Sequence, residues 1–274
     1  MDTAAADAYL ERIEAVRPAF PDADALRTLQ LSHLRAVPFE NLAIHLGEEI
    51  VLAEQPVLDK IVGARRGGFC YELNGAFAAL LDALGYDVEL LSARVFGPDG
   101  LGIPYDHLAL RVRTPDGPLL TDVGFGKHSH YPLKLDSRSD QTDPGGVFRI
   151  EEAPPVAPKG EGGREGDGHG HGHGDLDVYR DGVAQYRLEQ RPRVLADFRA
   201  GCWWHRTSPA SHFTQSLICS RLTETGRITL SGRTLVSTGA DGTRDERELG
   251  ADEVLPAYLD HFGITLDREP RLAP

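Results

Sequence analysis

Cys70 stands in "RRGGFCYELNGAF" (65–77), behind what reads as a flexible Gly67-Gly68 hinge and at the start of a segment with helical spacing. The other two cysteines, Cys202 and Cys219, are too distant to form a paired metal-ligand motif with it. A free thiol has a pKa of about 8.5, so at neutral pH it is mostly protonated and weakly nucleophilic. A helix N-terminus favours the thiolate through unpaired N–H groups and the macrodipole, whereas burial on an apolar face disfavours it. A buried reactive cysteine therefore needs a cationic neighbour, ordinarily histidine, and a carboxylate that fixes the ring. Two downstream segments carry these types: "DHLALRV" contains His107 and "LLTDVGFG" contains Asp122. Position alone leaves both readings of Cys70 open, a packed core thiol or a nucleophile. His107 reads equally as a strand histidine bonded to backbone, and Asp122 as a turn cap.

Local spacing does not assemble these three residues. A tight turn centred on Asp116-Gly117 sets Asp122 opposite Arg111. His107 then lies on the same face but roughly 13 Å further along, at 3.3 Å per residue. The simple hairpin thus favours an Asp122–Arg111 pair.

The first ~90 residues carry helical periodicity. "DAYLERIEAV" places Leu10, Ile13 and Val16 on one stripe, and "DADALRTLQLSHLRAV" places Leu26, Leu29, Leu31 and Leu34 before Pro38. A third helix runs from Cys70 to Leu84 and stops at Gly85, with Leu73, Phe77, Leu80, Leu81 and Leu84 sharing the buried face of Cys70. From about residue 88 the period becomes two, in "VELLSARVF", "DHLALRVRT", "PLLTDVGFG", "LDVYRD", "AQYRLEQ" and "RITLSGRTLVST". Short strands separated by "GPDG", "PDGP" and Asp181-Gly182 predict an antiparallel sheet or barrel. "ADEVLPAYLDHFG" reads as a closing helix ended by Gly263. The fold class is α+β.

With 42 acidic and 29 basic residues, the chain carries a formal net charge of -13 and no basic stripe, which argues against a nucleic-acid partner. No apolar run approaches the ~20 residues of a membrane span. A cytoplasmic protein with reduced thiols is expected, independent of nucleic acid and membrane. Residues 151–175, rich in Gly and Pro, read as a flexible surface loop. The alternate His169, His171 and His173 there invite a metal reading, but ordering such glycines costs roughly 1–2 kcal/mol per residue, and no metal site is expected.

Taken together, "RRGGFCYELNGAF", "DHLALRV" and "LLTDVGFG" resemble the signature segments of the arylamine N-acetyltransferase family. "VPFENLAIHLG" (37–47) and "SPASHFTQSLICSR" (208–221) resemble further family segments, in order. The resemblance implies an N-terminal helical bundle (1–88) bearing Cys70 and a central antiparallel β-barrel (89–200) bearing His107, Asp122 and the 151–175 loop. An α/β lid (201–274) follows, and the core Cys-His-Asp arrangement is cysteine-protease-like.

It implies that Cys70 is the acyl-accepting nucleophile, His107 its base and Asp122 the orienting carboxylate. The reaction implied is ping-pong transfer from acetyl-CoA to a small-molecule arylamine or arylhydrazine, without a metal. Arg66, Glu72 and Asn74 match the nucleophile motif as a supporting network. The "GFGKHS" turn offers Gly124, Gly126, Lys127 and Ser129 to the CoA phosphates. Phe39, Val95, Phe125 and Trp204 flank the matched segments as acceptor-pocket positions, with core packing as the rival reading for each. Relatives in the family act as macrolactam-forming amide synthases, and Cys-His-Asp sites also serve thiol hydrolases.

Overall fold

A computed structural model describes residues 1–154 and 174–272. The chain opens with helices α1 (Thr3–Arg12) and α2 (Ala23–Ala36), whose first turns are capped by Asp2 and Asp22 accepting from Ala5 N and Ala25 N. Strand β1 (Phe39–Glu40) and short helices α3 (Leu42–Leu46) and α4 (Glu54–Leu58) follow, then a π-turn over Asp59–Gly63 and helix α5 (Cys70–Ala83). The α5 spacing predicted one buried face. Instead Cys70 to Ala78 are buried all round, so α5 is a central element on which the others pack.

Strands β2 (Asp87–Gly97), β3 (Gly100–Leu101), β4 (His107–Thr114), β5 (Gly117–Thr121), β6 (Leu133–Lys134), β7 (Gln141–Asp143), β8 (Gly146–Glu152), β9 (Leu176–Arg180) and β10 (Val183–Arg193) make one antiparallel sheet. Its path runs β6-β5-β4-β2-β10-β9-β8-β7, with β3 paired to β2. The edge strands are tied by one side chain: the Gln141 amide accepts from Lys134 N at 2.7 Å and donates to Lys134 O at 3.0 Å. The sheet is thereby a nearly closed barrel, with Leu91, Ala93, Phe148, Ile150, Val178 and Leu188 inside. Strand alternation serves two cores: Leu108, Leu110 and Val112 of β4 pack on the helices, while Ala109 packs within the barrel.

Helices α6 (Arg199–Thr207) and α7 (His212–Gln215) lead to strands β11 (Ile218–Leu222), β12 (Gly226–Ser231), β13 (Thr234–Gly239) and β14 (Arg244–Glu248), and to helix α8 (Val254–Phe262). These strands form a second sheet, β1-β11-β12-β13-β14, in which the N-terminal β1 takes the edge beside β11. The α+β architecture matches the sequence expectation. No described helix is long and apolar enough to cross a membrane.

Several local readings need correction. Val16 lies beyond the end of α1 and is exposed, while Leu31 and Leu34 are only half-buried, their places in the core being taken by Gln30 and His33. Gly67 and Gly68 are not a hinge: both are buried, and Gly68 O accepts from Glu40 N at 2.8 Å. A Cβ on Gly67 would lie 1.9 Å from Pro38 O, so glycine is needed for that backbone approach. Of the 151–175 segment, Glu151 and Glu152 end β8; its His169, His171 and His173 lie outside the described residues.

Candidate active site

Helix α5 begins at Cys70 because Phe69 is extended and Glu72 Oε2 reaches back to accept from Phe69 N at 3.2 Å. Glu72 is itself held by Lys60 Nζ at 2.7 Å, and Arg66 Nε donates to Glu40 Oε1 at 3.1 Å. Glu40 Oε2 accepts from Leu42 N at 2.6 Å, joining the segment before Cys70 to α3. Burial pushes Glu72 up, whereas Lys60 and Arg66 outweigh burial at Glu40 and hold it down. Arg66 and Glu72 thus lie in a buried charge network below the helix N-terminus, with Glu72 also serving as the helix cap.

The Cys70 side chain is buried and its thiol pKa is pushed up, first by burial; the Leu108 backbone N–H opposes this, and the Asp122 and Asp106 charges add to it. Leu108 follows His107, so the first strand residue after the histidine addresses the sulfur. Immediately beyond β5, Asp122 Oδ2 lies 2.7 Å from His107 Nε2. This bond leaves Nδ1 as the ring nitrogen for other proton chemistry.

The predicted Asp122–Arg111 pair does not form. Thr114 pairs with Gly117 and Leu110 with Thr121, so the turn is centred on Pro115-Asp116, one position earlier than expected. That register brings Asp122 level with Ala109 rather than Arg111, diagonal to His107 on one face. Arg111 pairs with Glu89 of β2 instead.

Asn74, one turn after Cys70 on α5, completes the junction. Its Nδ2 donates to Asp122 Oδ1 at 2.9 Å and to Leu108 O at 2.6 Å, and its Oδ1 accepts from Val123 N at 2.9 Å. Burial alone would raise Asp122, but His107, then His128 and Asn74, hold its pKa at about 2. Gly124 lies directly on the helix, where a Cβ would come 2.7 Å from Cys70 Cα.

The remaining predicted residues fall around this centre. The Phe125 ring is edge-on to His107 with centroids 5.1 Å apart. Phe39 is half-buried beside Gly126 and Phe213, which in turn packs on Phe69. Trp204 is half-buried at the far side of His205, and Val95 is half-buried in β2 opposite Tyr186. In "GFGKHS", Lys127 is exposed and Gly126 has φ 87, while Gly124 and Ser129 are buried.

Sequence reasoning missed four residues. Tyr186 lies 5.2 Å from the His107 ring, and its hydroxyl donates to Asp122 Oδ2 at 3.4 Å. His128 stacks on Tyr186 at 5.5 Å, and burial lowers its pKa to about 4, keeping a neutral ring behind Asp122. Asp106 Oδ1 lies 3.1 Å from His205 Nε2, anchoring the strand start that carries His107 to α6. Tyr186 and His205 are distant in sequence from the residues they touch, and no local spacing announces them.

A family model described as N-acetyltransferase matches residues 22–271. The arylamine N-acetyltransferase of Mycolicibacterium smegmatis is 33% identical over 94% of this chain and 91% of its own length. The chain belongs to the arylamine N-acetyltransferase family. A second relative, the pineal gland isozyme NAT-10 of Gallus gallus, is 34% identical over 90% of this chain and 89% of its own. Among solved structures of the family, that of Mycobacterium marinum arylamine N-acetyltransferase in complex with CoA has a TM-score of 0.79, with 31% identity over 94% of this chain and 92% of that one. Family membership makes the chain an acyltransferase, and the Cys70–His107–Asp122 cluster is its candidate centre.

Proposed function

We propose that this acyltransferase moves an acetyl group from acetyl-CoA to an arylamine or arylhydrazine nitrogen through a Cys70 thioester. The observation that carries the reading is the His107 Nε2–Asp122 Oδ2 bond of 2.7 Å, formed beside the strand amide that addresses the Cys70 sulfur. In the first half-reaction His107 takes the thiol proton and the thiolate attacks the acetyl carbonyl. The imidazolium returns that proton to the departing CoA sulfur as the carbon–sulfur bond to CoA breaks. In the second half, a neutral amine nitrogen attacks the acetyl-Cys70 carbonyl, its proton passes to His107, and Cys70 leaves as thiol. Asp122 stays ionised throughout, balancing the imidazolium.

The acyl donor is a substrate, and the Gly126-Lys127 turn supplies the exposed Lys127 cation and its backbone N–H groups for the phosphates, with Gly124 and Ser129 shaping the turn from inside. Arg180 Nη1 donates to Lys127 O at 2.8 Å, fixing the turn. Phe39, Phe125, Val95 and Trp204 provide the apolar faces for the aromatic acceptor. The chain divides on this reading into a helical unit (1–88), a barrel (89–200) and a lid (201–274).

Incubation with acetyl-CoA alone is expected to add one acetyl group, visible by intact mass and localised to Cys70. Transfer to an aniline acceptor that persists in Cys70→Ala would sink the thioester mechanism. Release of free acetate without amine transfer would assign a hydrolase instead.

A further inference from the structure

Between the C-terminal ends of α1, α2 and α8 and the turn after β11 lies a cleft of about 500 Å³ whose walls include Arg12, Arg35, Arg65 and Arg221. Many arginines of this acidic chain meet carboxylates, as Arg66 meets Glu40 and Arg187 meets Asp177, and others, such as Arg94 and Arg268, are spent on a single carbonyl. Among the described residues, none of the four cleft arginines forms an ion pair. Glu14 and Glu224 also line the cleft without pairing to them.

Arg12 serves the fold: its Nε, Nη1 and Nη2 donate to the carbonyls of Ile61, Ala36 and Arg65 at 3.2, 2.8 and 3.4 Å. It has no carboxylate in ion-pair contact, and burial, then Arg65 and Arg221, outweigh the nearby Glu14 charge and lower its pKa to about 10. Helix C-termini offset part of this field. They do not account for Arg221, whose Nε is buried with no acceptor, or for Arg35 and Arg65, whose exposed side chains border the same space. Ser32 and Thr223 add hydroxyls to the wall.

We propose that this cleft is a second ligand site, taking a phosphate-bearing small anion on Arg35, Arg65 and Arg221. Guanidinium forks match phosphate oxygens bidentately, and the three arginines outnumber the two carboxylates of the wall. The volume suits a small molecule. The cleft joins α1 and α2 to the C-terminal sheet and α8, so an anion bound there stabilises the junction by linkage.

The test is calorimetric titration of the full chain with inorganic pyrophosphate at constant ionic strength, with ADP in a second arm. One saturable site is expected, together with a rise in Tm. Arg35→Gln and Arg221→Gln should each weaken binding by about tenfold or more. Arg221→Lys should weaken it less, and acetyl transfer without added anion should be unchanged in all three. Tighter binding of ADP assigns a nucleotide to the site; equal binding assigns the phosphate group alone, and either result supports the site. No saturable binding, or binding that survives the Arg35→Gln/Arg221→Gln double variant, overturns the proposal. So does binding abolished by Lys127→Ala, which would place the anion at the donor turn.

Discussion

Asn74 Nδ2 lies 2.9 Å from Asp122 Oδ1, so the helix that begins with Cys70 also grips the carboxylate that orients His107. One side chain thereby couples the helical unit to the barrel at the centre of the proposed chemistry. It does so with three buried polar partners and no net charge of its own.

Asn74→Ala should consequently cost more than a surface mutation. It leaves Leu108 O, Val123 N and Asp122 Oδ1 without this partner, and about 1–3 kcal/mol of stability should be lost. Acetyl transfer should fall as well, because the carboxylate loses its second anchor. Denaturant unfolding and transfer rates, measured together, separate the roles: lost stability with intact rates would make Asn74 only scaffold.

Asp122→Asn preserves shape but removes the charge that balances an imidazolium. The fold should persist while acetylation of Cys70 slows by about ten-thousandfold, the scale seen when a triad carboxylate becomes an amide. Circular dichroism with single-turnover acetylation checks both halves. Arg111→Ala, in contrast, should leave the rate nearly unchanged, since Arg111 engages Glu89.

Gly124→Ala is expected to damage the site at once. Its Cβ would lie 2.7 Å from both Cys70 Cα and Asn74 Nδ2, so helix and loop must part by several tenths of an ångström. Overpacking of this kind costs about 1–3 kcal/mol. An alanine variant with wild-type melting temperature and full transfer would show that the approach is not required.

Acid sensitivity should trace to buried histidines. His33 has both ring nitrogens without partners, and burial, aided by Arg12, lowers its pKa from 6.5 to about 3. On acidification the unfolded chain binds this proton first, so the stability is fully present above pH 6.5 and falls towards pH 3. The slope is about 1.4 kcal/mol per pH unit for one such group, and His128 adds a second between 6.5 and about 4. His33→Phe should flatten the pH dependence measured by urea unfolding at several pH values in that window. An unchanged slope would contradict the assignment.

The central helix was legible because its apolar spacing and the stop at Gly85 agree, and the strands of the first hairpin because they alternate strictly. The site was only partly legible. A one-position error in the hairpin turn moved the partner of Asp122 by two residues, from Ala109 to Arg111, and so hid its diagonal approach to His107. Turn centring depends on Gly117, which has φ 113 and serves as the first strand residue rather than a central turn residue. Tyr186 and His205 come from distant segments, and only tertiary packing brings them in. The short strands β6 and β7 carry too few residues for a period to show, although they close the barrel.

The pinned backbone at Gly67 and Gly68 bears on how molecules reach the thiol. With Gly68 paired to β1 and no clearance at Gly67, α5 has no swivel behind it. On the proposed function, room for the substrates would come from rotation of the half-buried rings of Phe125, which packs on His107, and Phe39, beside Gly126. Side-chain rotation of that kind runs far faster than segmental opening. Traffic into the site would on that reading follow aromatic rotamers, with the ring sizes at 39 and 125 as the threshold for a bulky acyl group or amine.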